Sequence, residues 1–344
     1  MRGYPRCCIE ARVLHEDFRM NYLAPSWLPG GHLQTIYPAM CIAKPQVAYR
    51  RERWETPDHD FIDIDFVDGQ PGRPFIVMFH GLEGSSDSHY ARALMARALA
   101  LGWSGAVPHF RGCSGEMNHA PRFYHSGDAQ EVDWIIRRLA HRYKASASKF
   151  YATGVSLGGN VLLRWLGESQ HQAEMVDAAC AVSAPLDLAG GGAALSSGLN
   201  RIYTRAFLQT LKPKCLQKLK QFPSLFDRNT MLRARNLYEF DNIVTAPLHG
   251  YRDVDDYWNR ASAKHVLPDI TVPTLVLNAR NDPFLPARHL PRTASPRVKL
   301  EYPEHGGHVG FAVGDLPGRI DWLPRRMLHF LEEEGCCSSA PAMR

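Results

Sequence analysis

The stretch Phe150-Tyr151-Ala152-Thr153-Gly154-Val155-Ser156-Leu157-Gly158-Gly159, written FYATGVSLGG, decides how the rest of the chain is read. A short apolar run ends at a glycine, a serine stands two positions on, and NVLLRWLGES follows with helical apolar spacing. The expected order is strand, tight turn, helix. Such a turn could cradle a phosphate, simply reverse the chain, or present the serine hydroxyl. A phosphate loop of the G-x-x-x-x-G-K-[ST] type needs a lysine that is missing here, and a G-x-G-x-x-G dinucleotide loop needs glycine where Ser156 stands. The spacing Gly154-x-Ser156-x-Gly158 fits the remaining use, a sharp turn that lifts a serine oxygen above the carboxyl end of a sheet.

A serine hydroxyl is a poor nucleophile unless a base takes its proton and donors stabilise the oxyanion that follows. Turns of this kind find their partners in the chain order serine, acid, histidine. PTLVLNARNDPFLP puts Asp282 just past a buried strand, and YPEHGGHVGF puts His308 in a glycine loop after the next one. Asp187 is the alternative acid and His305 the alternative base. The expected oxyanion donors are the backbone N–H groups of Leu157, directly after the serine, and Leu82, in the loop HGLEGSSDSHY. His80 in that loop reads as a loop organiser, and Cys113, in a loop expected to be flexible, as a bystander thiol. The sixteen histidines are scattered without an HExxH pair, so neither a metal nor a cofactor is expected.

The surrounding sequence supplies a frame for these groups. VAYRRERWE and FIDIDF read as two strands around the turn Pro57-Asp58-His59-Asp60, the second alternating and so expected to have one wet face. FIVMFH, GAVPHF, KFYATGV, AACAVSAP, PTLVLNA and VKLEYP are further strands. Helices are expected at HYARALMARALALG, at DAQEVDWIIRRLAHRY, where Asp128 and Glu131 have capping-box spacing, and at GGNVLLRWLGES. Alternating strands and helices imply an α/β fold with a mostly parallel twisted sheet, antiparallel strands at the N-terminal edge and helices on both faces. The alternation breaks at residues 186–265, read as a helical cap insertion whose long segment LNRIYTRAFLQTLKPKCLQKLKQF is interrupted near Pro213. The expected division is a flexible extension over 1–20, core over 21–185 beginning with a Pro-rich arm, cap over 186–265, core over 266–332 and a flexible tail over 333–344.

The 344 residues include 40 Lys plus Arg against 35 Asp plus Glu, and the net excess of +5 is not gathered into a stripe, so no nucleic-acid partner is expected. Eight cysteines, without a CxxC pair, read as reduced thiols. No run reaches the roughly 18 to 20 apolar residues of a membrane span, and the N-terminus has no apolar signal core. Met20 is a candidate start. KPKCLQKLKQF, the one basic segment that could meet a membrane surface, reads instead as a solvated cap face.

HGLEGSSDSHY, FRGCSGE, GVSLGGN, NARNDPF and GGHVGF, together with SWLPGGHLQTIYP near the start and FDNIVTAPLHGYRDVDDYW in the cap, resemble the YheT-like branch of the α/β-hydrolases over about residues 22–332. The resemblance implies a carboxylic-ester hydrolase for short- to medium-chain acyl esters, with Ser156 as nucleophile, Asp282 as acid and His308 as base. It also implies acylglycerol or phospholipid lipases and alcohol acyltransferases among the relatives. The N-terminal anchor frequent in eukaryotic relatives is missing from this sequence, so a cytoplasmic, bacterial-type form is expected. The expected partner is a small-molecule acyl ester. The alternatives are an acyltransferase using the same residues and a non-catalytic binding protein on a hydrolase fold.

Overall fold

Eight strands make one sheet in the order β1-β2-β4-β3-β5-β6-β7-β8 in the computed structural model, which describes residues 21–337. They are β1 (Arg50–Glu55), β2 (Phe61–Val67), β3 (Phe75–Phe79), β4 (Ser104–Pro108), β5 (Phe150–Val155), β6 (Ala178–Val182), β7 (Thr274–Leu277) and β8 (Val298–Glu301). The strands from β3 onward pair in parallel, while β2 runs antiparallel to both β1 and β4, as the N-terminal edge was expected to. The longer helices are α1 (Gly31–Met40), α2 (His89–Ala100), α3 (Ala129–Tyr143), α4 (Leu157–Ser169), α5 (Leu188–Leu195), α6 (Arg201–Gln221), α7 (Arg228–Arg233), α8 (Val254–Ala261) and α9 (Trp322–Cys337). Helices α2 and α9 bury Leu94, Met95, Met327 and Leu331 against one face of the sheet. On the other face α3 and α4 bury Val132, Ile136, Val161 and Leu162. Two covered faces explain why β3, β5 and β6 are buried at every position and mainly apolar rather than alternating.

Strand β2 departs from expectation, because no face of it is wet: all seven residues are buried. Its acidic side chains are covered by arginines from β1, which sit directly opposite in the antiparallel register. Arg51 grips Asp65 with Nε–Oδ1 at 2.7 Å and Nη2–Oδ2 at 2.8 Å, and Arg53 Nε meets Asp63 Oδ1 at 2.8 Å. Such bidentate pairs satisfy a carboxylate that would otherwise be costly to bury.

The loop after β4, expected to be flexible, is anchored instead. Arg111 reaches Asp60 (2.7 Å), Asp58 (2.9 Å) and Glu131 (2.5 Å), and Asn118 donates to Asp60 at 2.8 Å. These arginines also explain why the capping box at α3 does not form: Glu131 turns to Arg111 and Asp128 to Arg122, leaving no side-chain cap. A charged partner outweighs a neutral backbone N–H here.

Every regular element between Leu188 and His265 is helical, forming the cap between β6 and β7. Helix α6 runs straight through the exposed Pro213 rather than stopping at it. Anchors on both sides offset the lost backbone bond. Lys212 donates to Leu232 O (2.8 Å) and Ala234 O (2.7 Å), and Lys218 to Asn118 O (2.5 Å) and Ala120 O (2.9 Å). Of the lysines of KPKCLQKLKQF, Lys212 therefore ties the cap to itself, Lys214 (to Glu83, 2.8 Å) and Lys218 tie it to the core, and only Lys220 is exposed. The expected arm contains α1, and one boundary shifts: α9 continues over the first residues of the expected 333–344 tail. Residues 1–20 and 338–344, with Cys7, Cys8 and the candidate start Met20, lie outside the described residues.

Asp60 ties the β1–β2 turn to the anchored loop. Burial would raise its pKa, but bonds from Asn118 and from the N–H groups of His119, Phe61 and Ala120 hold it down at about 2. It thus binds a proton more weakly folded than unfolded, so its contribution of about 2 kcal/mol is complete above about pH 4. That contribution is lost as the pH falls through about 2. Asp60→Asn should destabilise the protein at pH 7 and flatten the decline of stability between about pH 4 and 2, as read by urea unfolding across that range.

Candidate active site

At the carboxyl end of β5 the chain turns so sharply that Ser156 takes φ 54° and ψ −122°, a strained conformation for a residue with a side chain. It is held there from both sides. Ser156 N–H donates to Val182 O on β6 at 2.8 Å, and Asn160 N–H returns to Ser156 O at 3.0 Å as α4 begins. The turn packs directly against the end of β3: a Cβ on Gly158 would lie 2.3 Å from Phe79 O and 2.5 Å from His80 O. A Cβ on Gly154 would lie 2.3 Å from Gly158 O.

Asp282 and His308 arrive beside Ser156 from the loops after β7 and β8. His308 Nε2 is 3.0 Å from Ser156 Oγ, and His308 Nδ1 is 2.9 Å from Asp282 Oδ2. The Asp282 side chain is fully buried, and its other oxygen accepts Phe284 N–H at 2.7 Å. A buried carboxylate against Nδ1 favours the tautomer with the proton on that nitrogen, leaving the Nε2 lone pair facing the serine hydroxyl. The Phe284 ring lies flat on the imidazole, with centroids 3.9 Å apart and planes at 13°. The alternatives are elsewhere. Asp187 caps α5 through Gly190 N–H and pairs with Lys264 at 2.9 Å, while His305 is exposed and 3.4 Å from Asn281 Nδ2.

Helix α1, whose function the sequence did not disclose, sets the His308 loop. Thr35 Oγ1 accepts His308 N–H at 2.8 Å, and Gln34 Oε1 accepts Gly306 N–H at 2.9 Å and Asn281 Nδ2–H at 2.8 Å. Asn281 Oδ1 in turn accepts Gly307 N–H at 3.0 Å. Gln34 and Thr35 belong to SWLPGGHLQTIYP, so the one signal for them was that segment's distinctiveness, not any motif chemistry.

The two expected oxyanion donors border the same space. Leu157 opens α4, where the first N–H groups have no partner within the helix and the dipole favours negative charge. Leu82 N–H makes no hydrogen bond among the described residues. His80 acts as the expected organiser. Its Nε2 accepts Phe110 N–H at 3.0 Å, so Nδ1 carries the proton and donates to Gly81 O at 2.8 Å. Burial pushes this imidazole down to about 3, which keeps it neutral. Burial likewise pushes the Cys113 thiol up to about 12, the opposite of what a nucleophilic cysteine needs.

Ser156, His308, Leu82 and Leu157 open into a cavity of about 130 Å³ beneath the cap. Its walls are mainly apolar, with Phe123, Leu211, Leu237, Phe240 and Val244 among them. Asp241 also lines it, taking bonds from Thr245 Oγ1 (2.6 Å) and Trp258 Nε1 (2.9 Å) while burial pushes its carboxyl up to about 6. Among the described residues no three His, Cys, Asp or Glu side chains group as metal ligands, and no helix is long and apolar enough to cross a membrane.

The profile of the alpha/beta hydrolase fold matches residues 74–315, from β3 to the region beyond His308. This chain belongs to the α/β hydrolases. YheT of Escherichia coli (strain K12) is 38% identical over 316 residues, spanning 89% of this chain and 92% of the relative. Phospholipase ABHD3 of Mus musculus is 29% identical, spanning 91% of this chain and 78% of its own length. Among solved structures, the Pyrococcus furiosus esterase PF2001 superposes with a TM-score of 0.54 at 17% identity, over 85% of this chain and 97% of that one. The α/β hydrolase described here is of the esterase and lipase type, in the YheT-like branch.

The packing around this hydrolase's turn makes a sharp forecast. Gly158→Ala must displace backbone carbonyls that cannot rotate away, and should cost about 3 kcal/mol of stability or prevent folding. Gly159→Ala, whose new Cβ would meet Ala184 Cβ and Gly154 O at 3.1 Å, should cost clearly less. Thermal unfolding of the two variants side by side checks the contrast.

Proposed function

We propose that the protein is a serine carboxylic-ester hydrolase for short- to medium-chain acyl esters, working through an acyl-enzyme on Ser156. The observation that carries this reading is the continuous relay Ser156 Oγ–His308 Nε2–His308 Nδ1–Asp282 Oδ2, with links of 3.0 and 2.9 Å. His308 takes the hydroxyl proton as Ser156 Oγ attacks the ester carbonyl, and Asp282 stabilises the imidazolium that forms. The carbonyl oxygen, now negative, is received by the N–H groups of Leu157 and Leu82. Collapse of the tetrahedral intermediate expels the alcohol, which leaves with the proton from His308. Water then enters, gives a proton to His308, and attacks the acyl-enzyme; the carboxylic acid departs as Ser156 regains its proton.

An apolar cavity of about 130 Å³ suits an acyl chain of limited length, and the phospholipase among the relatives supports acyl esters of lipid character. A fluorophosphonate probe should label the folded protein, and Ser156→Ala should abolish labelling. Ester turnover should fall by about 10⁴- to 10⁶-fold in Ser156→Ala and His308→Ala. Absence of labelling in folded wild type would overturn the reading. Across p-nitrophenyl esters, kcat/KM should favour butyrate and hexanoate over palmitate. Val244→Phe, which enlarges one apolar side chain of the cavity wall, should move the preference toward acetate.

A further inference from the structure

The oxyanion loop after β3 is held in place layer by layer, and its outermost hold comes from the cap. In a trans peptide the C=O and N–H point in opposite directions. Gly81 O is pinned by Gly84 N–H at 2.9 Å and by His80 Nδ1–H at 2.8 Å, which aims the N–H of the same peptide, that of Leu82, the other way. Glu83, the next residue, sits at φ 57°, a conformation that a side-chain-bearing residue keeps only under external constraint. The constraint is visible. Glu83 N–H donates to Tyr124 Oη at 2.8 Å, and Tyr124 Oη–H donates back to Glu83 Oε1 at 2.8 Å. Lys214 Nζ, from cap helix α6, donates to the same oxygen at 2.8 Å.

The Glu83 side chain is only 10% exposed and that of Lys214 24%, so this pair is largely withdrawn from water. The remaining neighbour of the carboxylate is the Cys113 thiol, with Sγ 3.9 Å from Glu83 Oε1 and a pKa that burial raises. Without Lys214, a nearly buried carboxylate keeps one hydroxyl donor and one weak thiol. That is too little to hold it, and it would turn toward water. Turning away breaks the closed ring with Tyr124. The left-handed turn at Glu83 is then free to relax, and the Leu82 peptide relaxes with it.

We infer that Lys214 is a positioning residue for the oxyanion hole: through Glu83 it holds the Leu82 N–H in its working direction, so the hole is complete when the cap lies on the loop. The inference rests on the serine hydrolase reading above and names the cap's part in it. Lys214 lines the cavity beside Glu83 but makes no hydrogen bond to Ser156, His308, Leu82 or Leu157. Its effect passes through Glu83 and is expected on the chemical step rather than on ground-state binding.

The test is steady-state turnover of p-nitrophenyl butyrate by the full chain carrying Lys214→Met, Lys214→Arg, Glu83→Gln or the Lys214→Met/Glu83→Gln pair. Removing an oxyanion donor outright costs about 10² to 10³ in rate, and misaiming one should cost less, about 10- to 100-fold in kcat with KM nearly unchanged. Lys214→Arg should restore most of the loss. The double variant should be no worse than the poorer single, because both changes break one link. A wild-type kcat in Lys214→Met, a loss confined to KM, losses that multiply in the double variant, or no rescue by arginine would each overturn the inference. If Lys214→Met does not fold, Glu83→Gln and Lys214→Arg decide it by the same criteria. Fluorophosphonate labelling of wild type keeps the two readings apart. No labelling of folded wild type removes the serine hydrolase itself, whereas a labelled, active wild type with an indifferent Lys214 removes only the positioning role.

Discussion

The close approach of the β5–α4 turn to the end of β3 is the constraint on which the site depends. Gly158 lies against the carbonyls of Phe79 and His80 so tightly that no Cβ fits. This contact lets α4 start directly over the sheet and places the strained Ser156 beside the loop that carries Leu82. One contact thus sets two things together: the direction of the serine oxygen, and its distance from the loop after β3. The strain at Ser156 persists because parallel neighbours on both sides leave the turn no room to relax, which is how strained backbone survives at functional sites.

The rest of the site hangs from loops, and each loop is tied to a distant part of the chain. His308 depends on Thr35 and Gln34, from a helix that precedes the whole sheet in sequence. The loop after β3, which carries Leu82, is bonded by His80 from within, Tyr124 from the loop after β4, and Lys214 from the cap. Because the loop after β4 is itself fastened by Arg111 to Asp60 and Glu131, its side chains reach the loop after β3 as fixed supports. Buried charge runs through all of this. Asp65, Asp60 and Glu83 are each enclosed with partners that arrive from other elements, so the polar network works as a set of clamps between layers.

Sequence reading succeeded where a local pattern carries its own physics and failed where a partner from elsewhere outweighed the pattern. That Ser156, Asp282 and His308 come together was legible because strand, turn and helix punctuate the chain in a fixed order around them. Strand β2 alternates like a half-wet strand, yet Arg51 and Arg53 lie opposite its aspartates and close the wet face. Asp128 and Glu131 have capping-box spacing, yet Arg122 and Arg111 draw them away. Pro213 reads as a helix break, yet the lysines flanking it are tied to Leu232, Ala234 and Glu83, and α6 continues. Each miss is a long-range charge or hydrogen bond overriding a short-range preference.

By itself the sequence determined the alternation of strand and helix, the sharp turn at Ser156 and the chain order of the acid and the histidine. These depend on side-chain periodicity and glycine placement, which act over a few residues. Only the tertiary structure decided which aspartate meets His308, that helix α1 holds the histidine loop, and that Lys214 and Lys218 of the cap reach the core. Those outcomes depend on which polar groups become buried together, and a buried donor or acceptor must find its partner in space, whatever the separation along the chain.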